Sequence, residues 1–208
     1  KRKARTVMLQ VRPHNGGAIR LYEQLGFETI DTAIRYRRSF LPSPSIFASR
    51  EAGGPGLRRL QFSEHRAAYQ LVKDSLPARL QTLRPFNPGA FAINIEDRLT
   101  EAVVDFLSGQ KTMRWGFFNA ERLEAVLTLR AQRLGSLHTF EIFVRPEARG
   151  HLEAWLVTFA LEQLSGFPRR PVQIEAWSSH AELVGTILDQ GFFVQKGLTL
   201  MVKDFRNS

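Results

Sequence analysis

Val144-Arg145-Pro146-Glu147-Ala148-Arg149-Gly150-His151-Leu152 is the stretch whose reading decides the fold. Ahead of it, residues 140–144 have the apolar positions of a strand. Behind it, residues 153–164 carry the apolar spacing of a helix. A strand that breaks into a helix through an Arg-Gly turn lays out an anion cradle. The first N–H groups of a helix have no partner inside it and point outward, so an anion can satisfy them.

The rest of the chain sets bounds on what this cradle serves. Its 208 residues are 43% hydrophobic, enough for a real core. There is no cysteine, which excludes disulfides, thiolate zinc sites and a cysteine nucleophile, and fits a cytoplasmic protein. The histidines lack metal-ligand spacing, so no metal is expected. No apolar run approaches the roughly 20 residues that span a bilayer. The net charge of +9 is uneven: residues 1–40 hold nine basic side chains against three acidic ones. That segment lacks the aromatic interleaving of single-strand binders. It therefore reads as a solvated face rather than a nucleic-acid surface.

Taken in order, residues 6–12 alternate as a strand that Pro13 ends. Asn15 then caps a helix through Leu25, and Gly26 stops it as a left-handed cap. Residues 27–40 read as one or two strands. Residues 42–56 are rich in proline and glycine and read as a linker. From Leu57 the pattern is a strand to 62, a helix to 76 capped by Ser63, and a proline-punctuated loop. A helix over 95–107 and a meander of strands at 114–118, 123–131 and 137–144 follow. After the cradle helix come a strand at 171–177, a helix at 180–190 stopped by Gly191, and a last strand or pair to 205. Sliding residues 5–40 along by 165 lays them on 170–205 without a gap, and Gly26-Phe27 meets Gly191-Phe192. The chain thus carries the back end of one unit and then a whole unit of the same kind.

These residues resemble the GNAT superfamily of acetyl-CoA-dependent N-acetyltransferases. Residues 144–150 look like the family's acetyl-CoA motif, a strand end followed by Arg-x-x-Gly-x-Gly and a helix. The stretch from Val11 to Phe27 closely matches its other motif, Asn-x-x-Ala-x-x-x-Tyr-x-x-x-Gly-Phe, at Asn15, Ala18, Tyr22, Gly26 and Phe27. The resemblance implies an α/β (α+β) GNAT fold: a mixed, mostly antiparallel sheet flanked by helices, in tandem. Residues 1–41 would be the C-terminal half of a first domain, 42–56 a linker and 57–208 a complete second domain. An acyl-CoA would lie in a V-shaped opening between the two central strands.

The resemblance also implies the chemistry, acetyl transfer to a primary amine by direct attack on the thioester. Tyr22 matches the tyrosine that protonates the leaving thiolate, and Asn15 the asparagine that contacts the cofactor. Val144, Arg149, Gly150, His151 and Leu152 form the acetyl-CoA cradle of the second copy. Glu141, on the strand lining the cleft, is its candidate base. In that copy Ile187 stands where Tyr22 does and His180 where Asn15 does. Leu152 takes a glycine position and Glu153 brings a negative charge, so the second copy is expected to be the degenerate one. The competing reading is a non-catalytic module for structure, dimerisation or ligand binding. The half-unit is expected to pack on the second domain or on another chain, including as a homodimer.

Overall fold

The computed structural model describes residues 6–39, 56–83 and 109–205. Of the linker expected at 42–56, residues 42–55 lie outside them, as does the helix expected at 95–107. The described strands form a single eight-stranded sheet. They are β1 (Thr6–Val11), β2 (Glu28–Arg38), β3 (Leu57–Arg59), β4 (Gln110–Asn119), β5 (Arg122–Gln132), β6 (His138–Val144), β7 (Val172–Trp177) and β8 (Phe193–Asp204). Described helices are α1 (Gly16–Gln24), α2 (His65–Ser75), α3 (Ala78–Leu83), α4 (Glu153–Ser165) and α5 (Ala181–Asp189).

The strand order is β1-β8-β2-β7-β6-β5-β4-β3. β2 runs antiparallel to both β7 and β8, and β1 runs antiparallel to β8. Each strand–helix–strand unit is therefore interleaved with the other. β8 lies between β1 and β2, and β2 lies between β7 and β8. The register makes this a pseudo-two-fold arrangement. Ala33 faces Leu198, its own repeat mate 165 residues on, so the axis passes through that pair. The register shifts that leave out Ile30 on β2 and Gln195 on β8 are also mates. The helix ends repeat as well: Phe27 N–H donates to Tyr22 O and Phe192 N–H to Ile187 O, while Gly26 and Gly191 take φ of +81° and +77°. A left-handed φ at that point suits glycine, which has no Cβ to clash.

The core sits where both faces of β5 and β6 are covered. Leu127, Leu129, Phe140 and Ile142 face α4 and α5 along with Leu156, Leu161 and Ile187. Leu123, Val126 and Phe143 point the other way, onto Ala68 and Leu71 of α2. Tyr36 of β2, 1% exposed, belongs to the first of these clusters. A strand of the first repeat thus completes the core of the second. Of the alternatives left open by the sequence, residues 28–38 form one bulged strand and residues 193–204 one strand. One detail differs from the sequence reading. Ser63 does not cap α2: it sits inside a short 3₁₀ turn, and Glu64 occupies the cap position without a side-chain bond. Among the described residues no helix is long and apolar enough to cross a membrane.

Candidate functional site

The site is built where β6 and β7 part. The two strands pair in parallel only from His138↔Val172 to Phe140↔Ile174. Beyond that they diverge, and a cavity of ≈ 90 Å³ opens between Glu141 and Phe143 on one side and Trp177, Ser179 and His180 on the other. At the end of β6, Val144 is fully buried. Residues Pro146–Ala148 make a 3₁₀ turn, Gly150 takes φ +84°, and α4 begins at Glu153.

The sequence placed Val144, Arg149, Gly150, His151 and Leu152 around this cradle, and they lie together there. Arg149 reaches across to α2, where its Nη2 donates to Ser75 O at 2.7 Å. His151 is exposed. The amides that would hold an anion already have one. Gly150 N–H donates to Glu153 Oε2 at 2.9 Å, and Leu152 N–H to the same oxygen at 3.2 Å. The other oxygen, Oε1, lies 2.7 Å from His180 Nε2. Glu153 is 2% exposed and His180 7%. Burial pushes the Glu153 carboxyl up, but the His180 hydrogen bond and the backbone amides outweigh it and hold the group below the usual carboxylate range. An ionised carboxylate has no proton to give, so His180 Nε2 is the donor.

His180 is the N-cap of α5 and makes no capping bond. Its repeat mate Asn15, with nearly the same backbone angles, caps α1 by accepting from Ala18 N–H at 3.2 Å. The histidine has exchanged the capping role for the carboxylate of α4. Sequence reasoning saw Glu153 and His180 separately, as a charge beside an anion site and as an asparagine replacement. It had no means of pairing residues on different helices.

The remaining predicted residues fall elsewhere. Glu141 pairs with Arg130 across the β5–β6 ladder at 3.1 Å while lining the cavity. Asn15 and Tyr22 belong to the other repeat, and Tyr22 packs edge-on against Phe27. The pseudo-two-fold axis relates them to His180 and Ile187 and keeps them out of this cavity. Among the described residues no three side chains gather as a metal site.

No family model and no curated protein matches the sequence. Solved structures do. Over 98% of its length the chain is similar to a GCN5-related N-acetyltransferase from Sphaerobacter thermophilus, at 17% identity and a TM-score of 0.55. The tandem GNAT protein from the clavulanic acid biosynthesis pathway matches over 98% of the chain, at 14% identity and a TM-score of 0.51. The chain has the GNAT fold. A conserved protein of unknown function from Staphylococcus epidermidis has the same architecture, at 11% identity and a TM-score of 0.56 over 96% of the chain. The chain spans 61–72% of the length of these three proteins. The β6/β7 divergence lies where the resemblance puts the V-shaped opening, and Val144 to Leu152 is the turn that follows β6.

The residues present around that turn do not fit an acyl-CoA. Gly150 and Leu152 amides are taken by Glu153, Leu152 supplies a side chain where the fold's motif has glycine, and ≈ 90 Å³ is below the 300–1,000 Å³ usual for ligand pockets.

Proposed function

We propose that the protein serves acetyl transfer from acetyl-CoA to a primary amine. In this reading the chemistry belongs to the module whose rear half is residues 1–41, and residues 57–208 form a second GNAT module that no longer takes the cofactor. The observation that carries the second statement is the Glu153 carboxylate, which satisfies the cradle amides and is locked by His180. A pyrophosphate would have to displace a buried, hydrogen-bonded anion from a site of its own sign. No step is therefore assigned to Val144–Leu152. Glu141 serves here as a strand-face ion pair with Arg130.

In the first module, Asn15 would contact the cofactor and the Tyr22 hydroxyl would protonate the departing thiolate. Support comes from the retained motif and from the uncovered surface around it. α1 buries none of its residues. Val7 on β1 is 38% exposed where its mate Val172 is 0%, because β6 and α4 cover only the second repeat. A parallel strand along β1 and a helix over α1 would complete the module. The interleaved β2 favours a structural role for the second copy, as the frame on which the first is held. A cytoplasmic location belongs to the same proposal.

Calorimetry with acetyl-CoA on this chain tests the assignment; the expected result is no binding heat and no thermal shift. Saturable binding that vanishes in Gly150→Val would restore the second cradle and sink this reading. With the first module's front half present, Tyr22→Phe should lower CoA release by at least about 100-fold, the low end of what general acids contribute. Unchanged turnover would remove Tyr22 from the mechanism.

A further inference from the structure

The two repeats differ most where their strand–helix loops meet the partner repeat. In one half the loop is clamped. Asp31, 6% exposed, accepts from Ser178 Oγ at 2.6 Å, Ser179 N at 3.3 Å and Ser179 Oγ at 2.6 Å, and Ser178 N–H donates to Thr32 O at 2.9 Å. The pseudo-two-fold mates of these residues remove every element of the clamp. Pro13 and His14 replace Ser178 and Ser179, Lys196 replaces Asp31, and Gly197 replaces Thr32. Proline has no N–H to give the facing strand, and a lysine accepts nothing. Gly197 instead lets the Pro13 ring close on β8: a Cβ there would come 2.9 Å from Pro13 Cγ.

Where the clamp is missing, a cavity of ≈ 730 Å³ opens, within the range of small-molecule sites. Arg12, His14, Arg35 and Lys196 line it together with Ile34 and Val194. Arg35 shares its charge with Glu175 at 3.4 Å. Arg12 and Lys196 have no acidic partner among the described residues. Two unpaired cations beside an apolar wall match a dianion that carries an apolar body. A phosphate monoester has that charge at neutral pH and the oxygens that a guanidinium grips in pairs.

We infer that this cavity binds a small phosphate monoester, with the phosphate between Arg12 and Lys196 and the apolar group against Ile34 and Val194. The inference does not rest on the acetyltransferase reading: Arg12 and His14 lie in the Val11–Phe27 stretch, but the site uses neither Asn15 nor Tyr22.

Phenyl phosphate is the probe, titrated into the whole chain by calorimetry at low salt, with inorganic phosphate, phenylacetate and benzyl alcohol as comparisons. Phenyl phosphate should bind at least tenfold tighter than each of the three. The exposed substitution Lys196→Asp should weaken it at least tenfold with the circular dichroism spectrum unchanged. Arg12→Gln, which adds no opposing charge, should weaken it several-fold. Equal binding of phenyl phosphate and inorganic phosphate, no measurable binding, or affinity indifferent to both substitutions would overturn the assignment.

Discussion

At the scale of single residues, Glu153 decides what the cradle does. It is a helix-terminal carboxylate folded back onto the amides of its own N-terminus, and it is anchored by a histidine from the next helix. Removing it leaves two amides and an imidazole without their anion. Glu153→Ala should therefore cost about 3 kcal/mol in denaturant unfolding, the scale of breaking a buried ion pair. The pH dependence has a definite sign. The folded carboxyl lies below its ordinary range. Its stabilisation is present in full above the ordinary carboxylate pKa and is lost as pH falls through the depressed value. The stability gap between the wild type and Glu153→Gln should accordingly narrow on acidification; a gap that widens would contradict the assigned charge state. Gly150→Ala should cost about 1 kcal/mol through backbone alone, because φ is +84° while a Cβ would meet only Glu182 Cγ, at an ordinary contact distance of 3.9 Å. The cap at Asn15 and the glycine stops at Gly26 and Gly191 were legible in the sequence, since they act within a turn of their own helix. The Glu153–His180 bond was not, because it joins residues 27 apart in sequence and on separate helices.

At the scale of elements, the repeat turns one substitution into its own control. Val7 and Val172 are the same residue at equivalent positions of β1 and β7, yet one is 38% exposed and the other 0%. Val172→Ala should cost roughly 2 kcal/mol, as core truncations do, and Val7→Ala under about 0.5 kcal/mol. Matched losses in thermal unfolding would mean that β1 is covered as well as β7. Element type followed from pattern wherever the period was strong: β1, β5, β6 and β7 fall within a few residues of the alternation. Short pieces did not. α3 lies just past Pro77, where proline density reads as loop, and its Leu80 is held by Leu76 and Leu200 rather than by local propensity. β4 begins at Gln110, four residues before its expected start, because its first residues pair with β5 at Gln132 and Ala131.

For the whole molecule, the interleaving of the two repeats is the dominant fact. β2 supplies Tyr36 to the core and hydrogen-bonds strands on both sides, so the second repeat has no closed sheet of its own. Residues 57–208 expressed without residues 1–41 should lose cooperative unfolding and self-associate, since β7 and β8 would each show a bare edge. A monomeric fragment with an unchanged unfolding midpoint would refute that dependence. The same symmetry, broken at Asp31 against Lys196, closes one loop with a polar clamp and leaves a cationic cavity at the other.

By itself the sequence determined the fold class, through its family resemblance, the repeat with its 165-residue offset, and the helix ends at Asn15, Gly26 and Gly191. The repeat and those helix ends are encoded in hydrophobic period and in turn residues that act on near neighbours. Only the tertiary structure decided that the repeats exchange strands, that a buried carboxylate occupies the anion cradle, and that one loop is clamped while its mate stands open. Each of those outcomes depends on contacts between residues distant in the chain, where the free energy comes from burial and from hydrogen bonds that no local pattern records.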